Sequence, residues 1–152
     1  MSIAGDIVEE FYYNRMRKYI DRLVAEWRQH ENIIIGVDYD DTIYPYREGF
    51  TNIQDVIDTL KEAHKHGAVL VIFTASKEER YPEIEEYCKG VGLEIVGINT
   101  SIISPFGDNR KIYANIYLDD RSGLNESLEI LKAAIYSIKG DQNTKSTLQQ
   151  AF

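Results

Sequence analysis

IIIGVDYDD, residues 33–41, is the most informative segment of this chain for its fold. Its first part, residues 33–37, is a continuous apolar run rich in β-branched residues, which is typical of a strand buried on both faces of a sheet. Its second part, residues 38–41, is acidic. Ligands of parallel sheets bind outside the carboxyl ends of the strands, so this stretch predicts a buried strand that delivers carboxylates to a binding site.

Similar apolar runs recur along the chain and alternate with helical spacing. Further strands are predicted at residues 68–73, 93–98 and 116–118. Apolar residues spaced three to four apart predict helices at residues 7–27, 53–66, 82–91 and about 124–138. This order predicts an α/β fold, a three-layer Rossmann-like parallel sheet with helices on both faces and right-handed crossovers.

The chain has 152 residues, 43% of them hydrophobic, which suits one globular domain with its own core. Residues 1–31 are expected to form an amphipathic helix that packs on the core or at a dimer interface, which would make the protein a homo-oligomer. Residues 32–139 form the predicted catalytic core. Residues 140–152 are polar and are expected to be a flexible tail.

Composition excludes several classes of function. Cys88 is the single cysteine and has no CxxC or Cys/His partner nearby, so no disulfide framework or zinc site is expected. No apolar stretch is long enough for a signal peptide or a membrane span, and we expect a cytoplasmic protein with no membrane partner. The net charge of -8, without a cluster of basic residues, argues against extended nucleic-acid binding.

Polar residues follow three of the predicted strands. They are Asp38, Asp40, Asp41 and Thr42 after the first, Thr74, Ala75 and Ser76 after the second, and Asp119 and Asp120 after the last. Carboxylates gathered at one edge repel one another and raise their pKa values unless a cation compensates them. Mg²⁺ prefers oxygen ligands and needs only a few protein carboxylates beside a phosphate oxygen, so the pattern indicates a magnesium site.

A phosphate-transfer site gives each of these residues a role. Asp38 is the candidate nucleophile for phosphorus, and Asp40, two residues on in an extended chain, is the candidate general acid and base. Thr74 offers a hydroxyl to a phosphoryl oxygen, and Lys111 offers positive charge. The expected substrate contacts are Asp41, Thr42, Thr74, Ala75, Ser76 and Lys111.

Three motifs carry a resemblance to a known family. VDYDDTI at residues 37–43, VIFTAS at 71–76 and KIYANIYLDDRSG at 111–123 resemble, in order, the four signature motifs of haloacid dehalogenase-type hydrolases. The resemblance covers about residues 33–138. LDDRSG is similar to the end of a subgroup of small phosphatase-like proteins, and more loosely to the deoxynucleotidases.

The resemblance implies a Mg²⁺-dependent phosphatase acting on a phosphorylated small molecule. It implies that Mg²⁺ is held by the Asp38 carboxylate, the Asp40 main-chain carbonyl and one of Asp119 and Asp120. The similar subgroup tends to have Arg at the position of Ser76, so the phosphate contacts of this chain are expected to differ.

The segments between the motifs are too short for a large cap domain. Family members without caps have open sites, and the loops at residues 44–47 and 101–110 are the walls available here. These loops are where specificity is expected.

Three other functions remain open. A signalling receiver domain also combines an acidic pair, an Asp, a Thr and a Lys, but its phosphorylated Asp ends a middle strand, whereas here the Asp pair comes last. A catalytically silent binding protein could retain the fold, although no core catalytic position is replaced. An enzyme that removes phosphate from nucleic-acid ends suits an open site and is disfavoured by the acidic charge.

Overall fold

A computed structural model describes residues 3–47, 52–103 and 110–151 of the chain. Its helices are α1 (Ile3–His30), α2 (Ile53–Lys65), α3 (Tyr81–Gly90) and α4 (Leu124–Ala151). Its strands are β1 (Ile33–Asp38), β2 (Ala68–Phe73), β3 (Ile95–Ile98) and β4 (Ile116–Leu118). A short 3₁₀ turn at Glu78–Arg80 leads into α3.

The four strands form one parallel sheet in the order β3-β2-β1-β4. In the register, Asp38 lies opposite Phe73 of β2, and Val37 lies opposite Leu118 of β4. The carboxyl ends of β1 and β4 are therefore neighbours, with Asp119 directly after β4. The predicted α/β class is confirmed, in an arrangement consistent with a Rossmann-like three-layer fold, and the described residues contain no large cap domain.

The strand β1 is buried on both faces of the sheet. Ile33, Ile35 and Val37 of β1 are at most 1% exposed and belong to one apolar cluster that also takes residues from all four helices. The strand period of two sends these three side chains to the same face, and Ile34, which is also buried, points to the other face. The sheet is thereby anchored directly beneath the residues that follow β1.

The N-terminal helix packs against the rest of the domain. Leu23, Val24 and Trp27 of α1 lie in the core cluster, and the Trp27 indole N–H donates to the His66 carbonyl at 2.9 Å. None of the helices in the described part of the chain is both long and apolar enough to cross a membrane. A dimer contact through α1 stays a prediction.

The last helix is longer than its sequence pattern predicts. Apolar spacing ends near Ile138, and residues 140–152 were expected to form a tail, but α4 continues to Ala151. The expected helix end is wrong because polar residues such as Gln and Lys support a helix without apolar periodicity. Arg28 of α1 also fastens this extension through a two-point ion pair with Asp141, with N···O distances of 2.7 and 3.1 Å.

Candidate active site

A tight loop follows β1 and fixes the first acidic motif. The Tyr39 carbonyl accepts the backbone N–H groups of residues 42–44 at 3.0–3.3 Å. Asp41, at the centre of the turn, has a φ of 60°, a left-handed conformation that Asp tolerates better than most residues. Its buried carboxylate accepts the N–H groups of residues 46 and 47 at 3.1 and 2.7 Å. Asp41 therefore fixes the loop wall at residues 44–47.

Three carboxylates converge at the carboxyl edge of the sheet. Asp38, Asp119 and Asp120 each offer an oxygen, and these oxygens all lie within 4.8 Å of one another. A cluster of hard oxygen donors at this spacing fits a divalent cation such as Mg²⁺. The adjacent ends of β1 and β4 thus bring together three of the four residues that the sequence assigned to the metal.

Thr42 joins the two sides of this cluster. Its side chain is fully buried; the hydroxyl donates to Asp38 Oδ2 at 3.0 Å and accepts the Asp120 backbone N–H at 3.1 Å. This hydroxyl therefore positions Asp38 and Asp120 relative to each other, and a substrate contact of Thr42 stays a prediction.

The electrostatic environment of Asp38 disfavours its charged form. The pKa of the Asp38 carboxyl is raised to about 7, first by burial and then by the hydrogen bond with Asp120 and the charge of Asp119, against a lowering by the Thr42 hydroxyl. These are the effects expected when carboxylates gather in a partly buried site. A bound cation would reverse them by favouring the ionised forms.

Asp40 lies on the other side of the pocket and is paired with an arginine. Arg80 Nη1 donates to Asp40 Oδ2 at 2.8 Å, and Nη2 donates to Asp40 Oδ1 at 2.9 Å. Arg80 Nη1 also donates to Ser76 Oγ at 2.8 Å. The hydrogen bond to Asp40 raises the pKa of the Arg80 guanidinium, so this arginine stays charged.

The end of β2 is held by Asn99. The Asn99 side chain accepts the Thr74 N–H and donates to the Thr74 carbonyl, both at 2.8 Å, and also donates to the Tyr81 hydroxyl at 2.7 Å. The Thr74 hydroxyl accepts the Ser76 N–H at 3.1 Å. Asn99, which follows β3, therefore fixes the position of Thr74 at the pocket.

A pocket of about 620 Å³ brings most of the predicted site together. Its lining comprises Asp38, Asp40, Asp41, Tyr46, Arg47, Phe73, Thr74, Ala75, Ser76, Arg80, Asp119, Asp120 and Arg121. Of the two expected walls, the loop at residues 44–47 contributes Tyr46 and Arg47 to this lining. Most of the second expected wall, residues 104–109, lies outside the described residues.

Of the predicted site residues, Thr42 and Lys111 do not line this pocket. Thr42 is buried, whereas Lys111 is exposed. Lys111 lines a neighbouring groove, where its ammonium lies 5.0 Å from the centre of the Tyr117 ring. A cation above an aromatic face is attracted to the ring, and this contact holds Lys111 over the sheet face.

The sequence alone did not indicate Arg80, which lines the pocket, or Asn99, which holds the pocket residue Thr74 in place. Arg80 contacts a carboxylate 40 residues earlier, and Asn99 contacts a strand end 25 residues earlier. No local pattern marks such pairs. The spacing of Ser76 and Arg80, four residues apart just before a helix, was the available signal for their contact.

Comparison with known proteins supports the fold. No family model and no curated protein matches the chain. A solved structure of a conserved protein from Bacteroides thetaiotaomicron matches with 29% sequence identity and a TM-score of 0.51, covering 60% of this chain and 78% of that chain. Its description names no activity, so this similarity bears on the α/β fold and not on a reaction.

Proposed function

We propose that this protein is a Mg²⁺-dependent phosphomonoester hydrolase of the haloacid dehalogenase type. Its substrate would be a phosphorylated small molecule, such as a nucleotide or another phosphorylated metabolite. The cytoplasm, which keeps the free Cys88 thiol reduced, is the proposed location.

One observation carries the proposal: the oxygens of Asp38, Asp119 and Asp120 lie within 4.8 Å of one another, and Asp38 ends the central strand. Such a cluster is costly for a fold unless a cation occupies it. The order of the three motifs in the sequence independently supports the same class of reaction.

Two displacements at phosphorus make up the proposed reaction. An Asp38 oxygen attacks phosphorus, and the bond from phosphorus to the leaving oxygen breaks. The leaving oxygen keeps the electron pair of that bond and takes a proton from the Asp40 carboxyl. Water then attacks the aspartyl-phosphate and gives a proton to Asp40. The bond between phosphorus and Asp38 breaks, and inorganic phosphate leaves.

Mg²⁺, when bound, would neutralise charge on the carboxylates and on the phosphoryl oxygens. Its protein ligands would be Asp38 together with Asp119 or Asp120, and the resemblance adds the Asp40 carbonyl. Thr42 would hold Asp38 and Asp120 in register, and Thr74 would offer its hydroxyl to a phosphoryl oxygen.

The test is phosphate release from an aryl phosphate with and without MgCl₂. Wild-type protein should release phosphate only with the metal, and Asp38→Asn should abolish turnover because an amide cannot act as the nucleophile. Asp40→Asn should lose roughly 10²–10⁴-fold, the effect typical of a general acid and base.

Asp21→Asn is the matched control, because Asp21 is exposed on α1 and does not line the pocket. It should keep wild-type turnover. Equal turnover of Asp38→Asn and wild type would refute the nucleophile assignment. A screen of phosphorylated metabolites with the active protein, with Asp38→Asn as the blank, would then identify the substrate.

A further inference from the structure

We propose that Arg80 is a substrate-binding residue whose free N–H pair takes two oxygens of the phosphoryl group. This inference rests on the proposed phosphatase function and adds to it the residue that supplies positive charge opposite the acidic cluster. Neither the sequence motifs nor the comparisons assign Arg80 a role.

The hydrogen bonds of Arg80 leave one side of its guanidinium available. A guanidinium has five N–H donors in a planar fork. Two of them, on Nη1 and Nη2, meet the Asp40 carboxylate, and the second N–H of Nη1 meets Ser76 Oγ. The N–H of Nε and the second N–H of Nη2 have no acceptor among the described residues.

Those two remaining donors lie side by side on the guanidinium, because Nη2 is the terminal nitrogen on the same side as the Nε hydrogen. Two parallel N–H groups match two oxygens of a phosphate, which gives both geometric selectivity and a strong charge-assisted contact. Arg80 lines the pocket that contains Asp38, and its side chain is 25% exposed. Part of the Arg80 side chain is therefore accessible to an anion in this pocket.

The Arg80 guanidinium also contacts two tyrosine rings. Its Cζ lies 5.1 Å from the centre of the Tyr39 ring and 5.7 Å from that of the Tyr44 ring. The two rings stack at 5.0 Å, and each meets the Tyr87 ring edge-on. Stacking on the buried Tyr39 ring and the half-buried Tyr44 ring lowers the entropy that Arg80 would lose on binding a ligand. Arg80 is thus preorganised.

The fixed orientation of Arg80 distinguishes it from the other cations near the pocket. Of the pocket's other two cations, Arg47 faces the buried Asp41 carboxylate at 3.9 Å, and Arg121 is exposed. Lys111 lies over Tyr117 in the neighbouring groove. Arg80 is the pocket cation whose orientation is fixed by hydrogen bonds on one side and by ring stacking on another.

A structural role is the alternative, in which Arg80 only fixes the Asp40 side chain. The two roles differ in what happens once Asp40 has lost its charge. A residue that acts only through the Asp40 carboxylate should matter little for phosphate binding in an Asp40→Asn protein, whereas a direct contact to phosphate should matter equally in both backgrounds.

The experiment measures the Kd of inorganic phosphate by calorimetry in MgCl₂ for wild type, Arg80→Met, Asp40→Asn and the double variant. We expect Arg80→Met to weaken phosphate binding about 10- to 100-fold in both backgrounds, as for loss of a charge-assisted pair of hydrogen bonds. Loss of this effect in the Asp40→Asn background would overturn the proposal, as would a wild-type protein that binds no phosphate.

Arg80→Lys guards against a variant that fails to fold, because it keeps the charge and removes the paired donors. It should bind phosphate about 10-fold more weakly than wild type. A Kd equal to that of wild type would contradict the paired contact of the Nε and Nη2 hydrogens with phosphate. Lys77→Met is the matched control, since it removes an exposed cation of the same loop that does not line the pocket, and its Kd should not change.

These measurements separate the two proposals because phosphate binding requires no turnover. A protein that binds phosphate through Arg80 but releases none from esters would refute the hydrolase and support the Arg80 site. A protein that hydrolyses aryl phosphate with Arg80→Met unchanged in Kd and in kcat/KM would refute the Arg80 site alone.

Discussion

The Tyr117 ring lies against Gly36 on the neighbouring strand, so closely that a Cβ built on Gly36 would be 2.9 Å from Tyr117 Cδ1. Tyr117 is fixed at both ends: its backbone belongs to β4, and its hydroxyl donates to the Ile112 carbonyl. The same ring meets Phe73 edge-on at 5.9 Å. This packing joins the three strands that carry the site.

Gly36→Ala should therefore destabilise the fold, because the added methyl group forces the pinned ring or the strand to move. Overpacking of this kind costs about 1–3 kcal/mol. Urea denaturation followed by circular dichroism measures the change in the free energy of unfolding.

Gly140→Ala is the control for the glycine prediction. Gly140 lies within α4, and a Cβ there would meet nothing within 4 Å. Alanine should stabilise the helix by roughly 0.5–1 kcal/mol. In a Tyr117→Ala background the Gly36→Ala penalty should shrink, and an undiminished penalty would mean that the ring is not its cause.

Thr42→Val should weaken the metal site without changing the shape of the core. Valine keeps the volume but leaves Asp38 Oδ2 and the Asp120 N–H without the hydroxyl between them. Groups that orient metal ligands typically contribute 10- to 100-fold to metal affinity or activity, so the MgCl₂ concentration for half-maximal turnover should rise by about 10-fold or more.

Thr42→Ser and Thr59→Val complete that test. Serine retains the hydroxyl and should restore most of the metal affinity. Thr59 is buried in α2, away from the pocket, and its hydroxyl donates to the Asp55 carbonyl at 2.7 Å. Thr59→Val should alter stability and leave the MgCl₂ concentration for half-maximal turnover as in wild type. If Thr59→Val raised this concentration as much as Thr42→Val does, the effect would not be specific to Thr42.

The stability of the metal-free protein should depend on pH through Asp38. The carboxyl has a pKa of about 7 in the folded protein against an ordinary value of 3.8, so the fold holds a proton that the unfolded chain has released. Its contribution to stability is complete below about pH 4 and is lost as the pH rises to about 7. The free energy of unfolding in EDTA should fall over this range.

Asp38→Asn isolates that contribution, because its side chain does not titrate. The fall between pH 4 and pH 7 should be smaller in Asp38→Asn than in wild type. MgCl₂ should stabilise wild type more at pH 8 than at pH 5, since the metal favours the ionised carboxylates. Equal pH profiles for the two proteins would contradict the raised pKa.

Much of the fold could be predicted because burial leaves a clear sequence pattern. The apolar runs of β1 and β2 are bounded by polar residues, and their observed limits agree with the pattern to within one residue. The meeting of Asp38 with Asp119 followed from parallel topology alone, because neighbouring parallel strands end at one edge. The end of α4 could not be predicted, since its last turns are polar and lack periodicity.

Side chains that act across loops were harder to predict. Lys111 belongs to a segment without regular structure, and its position depends on the Tyr117 ring rather than on its distance in sequence from Asp119. Arg80 pairs with Asp40 only because α3 begins beside the first loop. Local propensity carries no information on either contact.

Asn99 provides a last prediction, since it combines a left-handed backbone with three side-chain hydrogen bonds. Its φ is 53°, and its amide bonds both backbone groups of Thr74 and the Tyr81 hydroxyl. Asn99→Ala should lose roughly 2–3 kcal/mol of stability, because it removes these bonds and places alanine in a strained region. Asn99→Gly loses the same bonds without the strain and should be less destabilised. Both variants should raise KM for an aryl phosphate by releasing Thr74, and a wild-type KM in both would separate Thr74 from substrate binding.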